Sequence, residues 1–201
     1  MNEKFFDLNK EKQDRMINAA LKVFALEGYL HGSTDDIVRD AGISKGLLFH
    51  YFGSKLGLYS FLYDYSVRFF MLEVDSEINR NESDFFELYS QFVHAQANSM
   101  RQYPYLQLFL HSAETETDQE ATAAIMERKA VLHNMYAGIM KKGDISRFTE
   151  GADYEKIGHL LDYMLRGIIS DKKTEKEVLP NYFLEETMRY ISMMRKLTYK
   201  D

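Results

Sequence analysis

Apolar residues recur at intervals of three and four along most of this chain, and only two prolines, Pro104 and Pro180, interrupt the pattern. This spacing places an apolar stripe along a helix, whereas a half-buried strand needs an alternating pattern, which does not stand out here. The 201 residues, 45% of them apolar, are enough to bury a sizeable core. The sequence therefore predicts an all-α protein of about nine helices.

Capping residues predict where several of these helices begin. Short polar side chains favour the position before a helix, because they accept a hydrogen bond from a free backbone N–H group. The predicted N-caps are Asn9, Thr34, Ser44, Asn81, Thr117 and Asp153. Gly28 is expected to end the first helix, because glycine readily adopts the left-handed conformation found after many helices.

Residues 34–55 predict two short helices joined by a tight turn at residues 41–44, Ala-Gly-Ile-Ser. This arrangement is a helix-turn-helix, whose second helix enters the major groove of DNA. No Asp or Glu occurs between Asp40 and Asp64, although the chain carries a net charge of −6. Because carboxylates repel phosphates, this acid-free stretch favours a surface that faces DNA.

The charge distribution divides the chain into two parts. Residues 1–57 contain eight basic and eight acidic side chains, so the whole net charge of −6 belongs to the remainder. A neutral module followed by an acidic body is consistent with a DNA reader carried on a second domain. We expect a helix-turn-helix domain at residues 1–53 and an all-α domain at residues 54–201.

Residues 15–58 resemble the DNA-binding domain of the TetR family of bacterial repressors. The matching residues are Arg15-Met-Ile17, Ala20, Val23-Phe24, Gly28-Tyr29, Thr34, Ile37, Ala41-Gly-Ile-Ser-Lys-Gly46, Leu48-Phe-His-Tyr-Phe52 and Lys55. His50 and Tyr51 stand where the family often has Tyr followed by His or Tyr, and Gly57-Leu58 replaces a frequent Glu-x-Leu. Neither departure alters the expected fold, whereas the His50 difference puts one phosphate contact in doubt.

The resemblance implies a set of residues that contact DNA, in the recognition helix and at the helix ends beside it. They are Thr34, Ser44, Lys45, Gly46, Leu47, His50, Tyr51 and Lys55. Polar and basic members would bind phosphates or base edges, Gly46 would let the backbone approach, and Leu47 would touch a thymine methyl. Each also has a structural alternative: Thr34 and Ser44 as caps, Leu47 and Tyr51 as packing residues, and the lysines as solvated charges.

The resemblance also implies that the second domain forms a homodimer, which would bind a double-stranded, pseudo-palindromic DNA operator. The expected interface comprises Leu161, Leu165, Ile168, Tyr190, Ile191 and Met194. These residues form apolar stripes on the last two helices, which would pair with their copies in a four-helix bundle. The alternative is that both stripes pack only inside the monomer.

A pocket for an apolar or aromatic small-molecule effector is the second implication for this domain. The candidate lining residues are Tyr65, Phe69, Tyr89, Phe92, Gln96, Tyr103, Phe109, His133 and Tyr136. Aromatic residues at helical spacing are also typical of an ordinary core, so this alternative stays open. Glu114 or Asp162 would favour a cationic effector if either faced the pocket, and both would otherwise be exposed.

Several other functions find no support in the sequence. The chain has no cysteine, and its histidines do not pair at i,i+4, so we expect neither a metal nor another cofactor. We find no phosphate-binding glycine loop, nucleophile elbow, secretory signal or membrane span. The resulting hypothesis is a cytoplasmic, nucleoid-associated bacterial repressor that releases its operator when it binds an effector. The alternatives are a DNA-bound interaction protein without an effector and an all-α enzyme with an accidental helix-turn-helix match.

Overall fold

The computed structural model describes residues 3–171 and 179–200, and these residues form nine α-helices and two short 3-10 helices. The predicted all-α fold is therefore confirmed. The helices are α1 (Lys10–His31), α2 (Thr34–Ala41), α3 (Lys45–Phe52), α4 (Lys55–Glu77), α5 (Phe85–Gln102), α6 (Leu106–Glu114), α7 (Gln119–Met140), α8 (Tyr154–Asp171) and α9 (Pro180–Thr198). The 3-10 helices are Glu3–Phe5 and Ile145–Arg147.

Three of the predicted N-caps are confirmed by their hydrogen bonds. Asn9 accepts from the backbone N–H of Lys12 at 2.9 Å, and Ser44 accepts from that of Leu47 at 3.2 Å. Asp153 accepts from the backbone N–H of Lys156 at 3.1 Å. These bonds satisfy N–H groups that have no partner within the first helical turn.

Three other N-cap predictions were wrong by one to three residues. The caps are Ser33 instead of Thr34, Asp84 instead of Asn81 and Asp118 instead of Thr117. In each case a second good capping residue lies nearby, and the pattern of capping residues cannot tell which of them takes the extended conformation. Thr34 is consequently the first residue of α2 and not its cap.

Gly28 interrupts the regular geometry of α1 before the helix ends. Its φ of +69° lies in the region that favours glycine, and α1 continues to His31. Gly32 then follows in close contact with the preceding turn, because a Cβ at this position would lie 2.7 Å from both the Gly28 carbonyl oxygen and the Phe24 ring. The end of α1 is therefore shaped by two glycines instead of one.

The chain forms two compact units, and neither is a continuous segment. The first unit runs to Phe69 and also contains Tyr103–Ala130. In it α1 packs against both α2 and α6. The Tyr59 ring lies 5.2 Å from that of Phe24 and 5.5 Å from that of Phe109, which joins α1, α4 and α6 in one aromatic core.

The second unit contains Phe70–Gln102 and the described residues from Val131 onward. In it α9 packs against α5 and α8. The buried N-cap Asp84 accepts hydrogen bonds from Arg147 and Arg195, the latter at 2.9 Å. The boundary predicted between residues 53 and 54 would separate a DNA-binding segment from a ligand-binding segment. It differs from the division into these two compact units, and it stays a prediction.

Candidate DNA-binding surface and second-unit cavity

The turn between α2 and α3 has the geometry that a helix-turn-helix requires. Gly42 adopts the left-handed conformation, with φ 64° and ψ 41°. Its N–H donates to the Arg39 carbonyl at 3.2 Å, and the Ile43 N–H donates to the Val38 carbonyl at 3.0 Å. These bonds close the end of α2 and turn the chain into α3 within three residues.

The predicted DNA-contacting residues fall into two groups by exposure. The exposed members are Ser44, Lys45, Gly46 and His50, and the half-buried members are Thr34, Leu47, Tyr51 and Lys55. The first three exposed residues occupy the N-cap and first turn of α3, where free N–H groups favour an anion. Leu48, in the same helix, is only 1% exposed and anchors α3 in the core.

Lys45 forms an ion pair that the spacing of charges along the sequence does not predict. Its Nζ lies 2.9 Å and 3.0 Å from the two carboxylate oxygens of Asp35 in α2. Both side chains are largely exposed, so solvent screens the pair. The acid-free stretch begins only after Asp40, and the fold brings an earlier carboxylate back to the start of α3.

Other basic residues of the first three helices are paired in the same way. Arg39 lies 2.5 Å from a carboxylate oxygen of Asp36, and Lys22 lies 3.2 Å from one of Asp40. The acidic residues of α2 therefore neutralise the cations around them. This module carries no excess positive charge, in agreement with its balanced composition.

Lys55 is held against the end of α1. Its Nζ donates to the Leu30 carbonyl at 3.1 Å and lies 4.8 Å from the centre of the Tyr29 ring. Burial lowers the pKa of Lys55, and the carboxylates of Asp118 and Glu116 oppose this shift. Its predicted phosphate contact stays a prediction, because the ammonium already has partners within the protein.

Phe5 supports the recognition helix from the N-terminal 3-10 helix. This residue is 1% exposed, and its ring lies 5.9 Å from that of Tyr51, 5.2 Å from that of Phe52 and 5.2 Å from that of Phe61. Tyr51 therefore combines packing on one side with partial exposure on the other. The adjacent aromatic pair at residues 5 and 6 was the only sequence signal for this contact.

Four of the nine residues predicted to line an effector pocket belong to the core of the first unit. They are Tyr65, Phe69, Tyr103 and Phe109. The Tyr103 hydroxyl donates to Asp14 Oδ1 at 2.7 Å and lies 2.7 Å from the Tyr65 hydroxyl. Phe109 is fully buried against Phe24 and Tyr59. These four side chains hold α1, α4 and α6 together, as the core alternative proposed.

The second unit contains an open cavity of about 520 Å³ between α5, α7, α8 and the segment that follows α7. Its lining residues are Phe85, Tyr89, Tyr136, Ala137, Met140, Lys141, Gly143, Ile145, Tyr154, Glu155, Gly158, His159 and Asp162. Tyr89 and Tyr136 are the two predicted pocket residues among them. Phe92 and Gln96 are buried elsewhere in this unit, and His133 is exposed on α7 outside the lining.

Two tyrosines and one carboxylate form a polar cluster in this cavity. Asp162 Oδ1 accepts hydrogen bonds from Tyr136 and, at 3.1 Å, from Tyr89, and the two hydroxyl oxygens are 2.5 Å apart. The Tyr89 hydroxyl also lies 3.1 Å from the Gly158 carbonyl oxygen. Burial raises the pKa of both tyrosines, and the Asp162 charge adds to the shift. Both phenols are therefore protonated at neutral pH, and their two protons are shared among the Asp162 carboxylate, the Gly158 carbonyl and the hydroxyl pair itself.

Three of the six residues predicted for a dimer interface lie on the inner side of α8 and α9. Leu161, Leu165 and Ile191 are 1%, 5% and 3% exposed, so they belong to the protomer core and are unavailable to a partner. Ile168 and Met194 are half-buried, and Tyr190 is exposed. The outward faces carry a different apolar set: Leu160, Tyr163, Tyr182, Met193 and Leu197. Both sides of these helices carry apolar residues. The spacing of apolar residues along the sequence therefore predicted three residues that pack inside the protomer instead of the outward set.

Within residues 3–171 and 179–200, no helix is long and apolar enough to cross a membrane. The same residues contain no group of three or more His, Cys, Asp or Glu side chains arranged to hold a metal ion.

Comparison with known proteins identifies the helix-turn-helix. The model of a family described as bacterial regulatory proteins, tetR family, matches residues 16–60. The uncharacterized HTH-type transcriptional regulator YuxN of Bacillus subtilis (strain 168) is 41% identical over 59 residues. That alignment covers 27% of this chain and 20% of the relative, so the chain matches about a fifth of the relative's length.

Solved structures extend the likeness to the whole fold. A TetR family transcriptional regulator from Chloroflexus aurantiacus J-10-FL has a TM-score of 0.63 at 17% identity, with 99% of this chain and 98% of that chain covered. The fatty acid degradation regulator FadR from Bacillus halodurans has a TM-score of 0.63 at 18% identity, with coverages of 89% and 96%. Residues 16–60 are therefore matched by sequence to the bacterial regulatory proteins of the tetR family, and the all-α fold of the described residues is matched by solved TetR family structures.

Proposed function

We propose that the protein is a homodimeric repressor that binds a pseudo-palindromic DNA operator and releases it when a small molecule binds to the second unit. The family is one of DNA-binding regulators and not of enzymes. The observation that carries the proposal is the exposed N-terminal turn of α3, with Ser44, Lys45 and Gly46 on a helix anchored by the buried Leu48. This turn offers free N–H groups, a hydroxyl, an ammonium and an open backbone to a phosphate or a base edge.

Selection of bound sequences from random double-stranded DNA tests DNA reading directly. We expect a motif made of two inverted half-sites, because a two-fold dimer reads the same bases twice. A single half-site would contradict the dimeric part of the proposal, and the absence of any enriched motif would contradict sequence-specific binding.

Two lysine-to-alanine variants test whether the N-terminal turn of α3 contacts DNA. Lys45→Ala is expected to weaken operator binding at least tenfold, a loss of ~1.4 kcal/mol or more. Lys142→Ala removes an exposed lysine outside the helix-turn-helix and is expected to leave binding unchanged. Fluorescence anisotropy at fixed salt measures both, and circular dichroism verifies folding. Equal affinities for the two variants would contradict the assignment of α3 as the reading helix.

The outward apolar faces of α8 and α9 are the proposed dimer interface. Tyr163, Met193 and Leu197 are 71%, 48% and 69% exposed. Exposed apolar residues that recur along one side of a helix favour association, because their burial removes apolar surface from water. The proposed interface therefore consists of these outward-facing residues and does not include the buried Leu161, Leu165 and Ile191.

An effector bound in the second unit would act through the equilibrium between DNA-competent and DNA-incompetent states. The effector shifts that equilibrium only if it binds the incompetent state more tightly. Helix α4 is the proposed link, because its residues 55–69 belong to the first unit and its residues 70–77 to the second. A cytoplasmic location beside the bacterial chromosome follows from the same proposal.

A further inference from the structure

We propose that the cavity between α5, α7 and α8 binds an organic cation, an amine joined to an apolar or aromatic body, with Asp162 as its counter-ion. This inference rests on the proposed effector function and names the chemical class of the effector. It narrows the expectation of an apolar or aromatic ligand by adding a positive charge at a defined position.

Asp162 has an unused acceptor beside the cavity. Both phenol hydrogen bonds go to its Oδ1 atom, and Oδ2 has no hydrogen-bond or ion-pair partner among residues 3–171 and 179–200. No Lys or Arg of the described chain lies within 4 Å of this half-buried carboxylate. A carboxylate without a counter-charge favours a ligand that brings an N–H donor and a positive charge.

The tyrosines fix the direction of this preference. Tyr89 is 2% exposed and Tyr136 is half-buried, and both hydroxyl groups are occupied by Asp162 and by each other. Because the carboxylate, the Gly158 carbonyl and the hydroxyl pair already take both phenol protons, the tyrosines do not offer free donors to an anionic ligand. They instead hold the carboxylate in one orientation, which reduces the ordering that a ligand must impose.

The walls of the cavity are aromatic. Phe85 and Tyr89 lie with ring centres 5.2 Å apart, and Tyr136 and Tyr154 complete the aromatic lining. Aromatic faces attract cations and also bury an apolar ring system. A volume of about 520 Å³ lies within the range of small-molecule sites and holds a fused ring with a short amine arm.

The charges at the cavity edge do not reverse this preference. Lys141, Glu155 and His159 line the cavity but are all exposed, so water screens them. Asp162 is less exposed than all three and lies beside the buried Tyr89. An anionic head group near this cluster would meet the Asp162 charge, whereas a cationic one would neutralise it.

Three naphthalene probes of nearly equal size test the proposal on the unmodified protein. They are 1-naphthylmethylamine, 1-naphthalenemethanol and 1-naphthoate, which carry a positive, a neutral and a negative head group at pH 7. Isothermal titration calorimetry is expected to show the amine binding at least tenfold more tightly than the alcohol, with the carboxylate weakest. Stronger binding of the carboxylate, equal binding of all three, or no binding of any would overturn the assignment.

A matched pair of variants locates the charge. Asp162→Asn keeps the shape and an acceptor for the phenols, and it is expected to reduce amine affinity at least tenfold while leaving alcohol affinity unchanged. Glu150→Gln removes an exposed carboxylate outside the cavity and is expected to change neither affinity. An unaltered preference for the amine in Asp162→Asn, with an unchanged melting temperature, would contradict the role of Asp162.

Operator binding without probe, measured in parallel, separates this inference from the proposed function. Glu150→Gln is expected to bind operator DNA as the unmodified protein does, because this exposed carboxylate lies outside both the cavity and the helix-turn-helix. If the unmodified protein binds no DNA but binds the amine in the cavity, the repressor proposal fails and the proposed ligand class stands. If DNA binds and the amine does not, the repressor proposal stands and the ligand class fails.

Discussion

At the scale of single residues, the cations of the helix-turn-helix are bound by carboxylates of the same protein. Lys45 pairs with Asp35, Arg39 with Asp36, and Lys22 with Asp40. In the proposed DNA complex, Lys45 would therefore exchange the Asp35 carboxylate for a phosphate. Such an exchange weakens binding to DNA of any sequence, because non-specific binding depends mainly on unpaired positive charge.

Asp35→Asn is expected to strengthen binding to both operator and random DNA. The change frees Lys45 and removes a negative charge beside the phosphates, and an exposed ion pair of about 0.5–1 kcal/mol corresponds to a roughly two- to fivefold gain. The plot of log affinity against log salt should become steeper, because Asp35 no longer competes with the DNA phosphates for Lys45. Fluorescence anisotropy across a salt series measures both quantities.

Glu27→Gln is the control for this prediction, since Glu27 is an exposed acid of α1 without a described partner. It is expected to leave affinity and salt dependence nearly unchanged. If Asp35→Asn bound no more tightly than this control, Lys45 would not be limited by its ion pair.

At the scale of helices, the junction between α3 and α4 depends on close backbone approach. A Cβ at Gly57 would lie 2.0 Å from the carbonyl oxygen of Phe52, a distance at which the backbone must move. Gly57 lies in the first turn of α4 and has no unusual φ. Its role is therefore to leave space, and the sequence pattern of a helix start contained no sign of this requirement.

Gly57→Ala is expected to destabilise the protein by about 1–3 kcal/mol, because the added methyl group forces the end of α3 away from α4. Gly138→Ala in α7 is the matched substitution, since among the described residues no atom beyond its chain neighbours and its own helix backbone lies within 4 Å of the added Cβ. It should stabilise the protein by about 0.5–1 kcal/mol through helix propensity. Urea unfolding of both variants decides between these effects, and a stabilised Gly57→Ala would contradict the close contact.

Local patterns predicted the helices and the three caps at Asn9, Ser44 and Asp153, because these features depend on neighbours within one helical turn. The cavity was not predictable in the same way. Tyr89, Tyr136 and Asp162 are far apart in sequence, and three helices must pack before their polar atoms meet. Tyr103 carries the same aromatic signal as Tyr89, yet its hydroxyl binds Asp14 in a different core.

At the scale of the whole molecule, the proposed dimer depends on which side of α8 and α9 is available. Leu160 and Leu161 are adjacent, but the first is 57% exposed and the second 1%. A pattern with leucines on both sides predicts a buried face without identifying it, because the choice depends on where α5 lies. The exposed face could therefore be identified only from the packed structure.

Leu197→Glu is expected to convert the proposed dimer to a monomer, because it places a charge in an apolar interface. Leu72→Glu provides the comparison, since Leu72 is 70% exposed on α4 and lies outside the proposed interface. Analytical ultracentrifugation should show a monomer for the first variant and an unchanged dimer for the second. A dimeric Leu197→Glu would exclude the outward face of α9 as the contact.

The division of the chain into two discontinuous units has a practical consequence for transplanting its DNA specificity onto another regulator. Helix α1 packs against α6, and the Phe109 ring contacts those of Phe24 and Tyr59. Residues 1–53 alone would therefore expose apolar core surface to solvent in any hybrid. The backbone N–H of Tyr29 would also lose its acceptor, Glu116 Oε2, which lies 2.7 Å away. A working hybrid should therefore exchange residues 103–130 together with the first unit's segment up to Phe69, so that the helix-turn-helix keeps the core on which it packs.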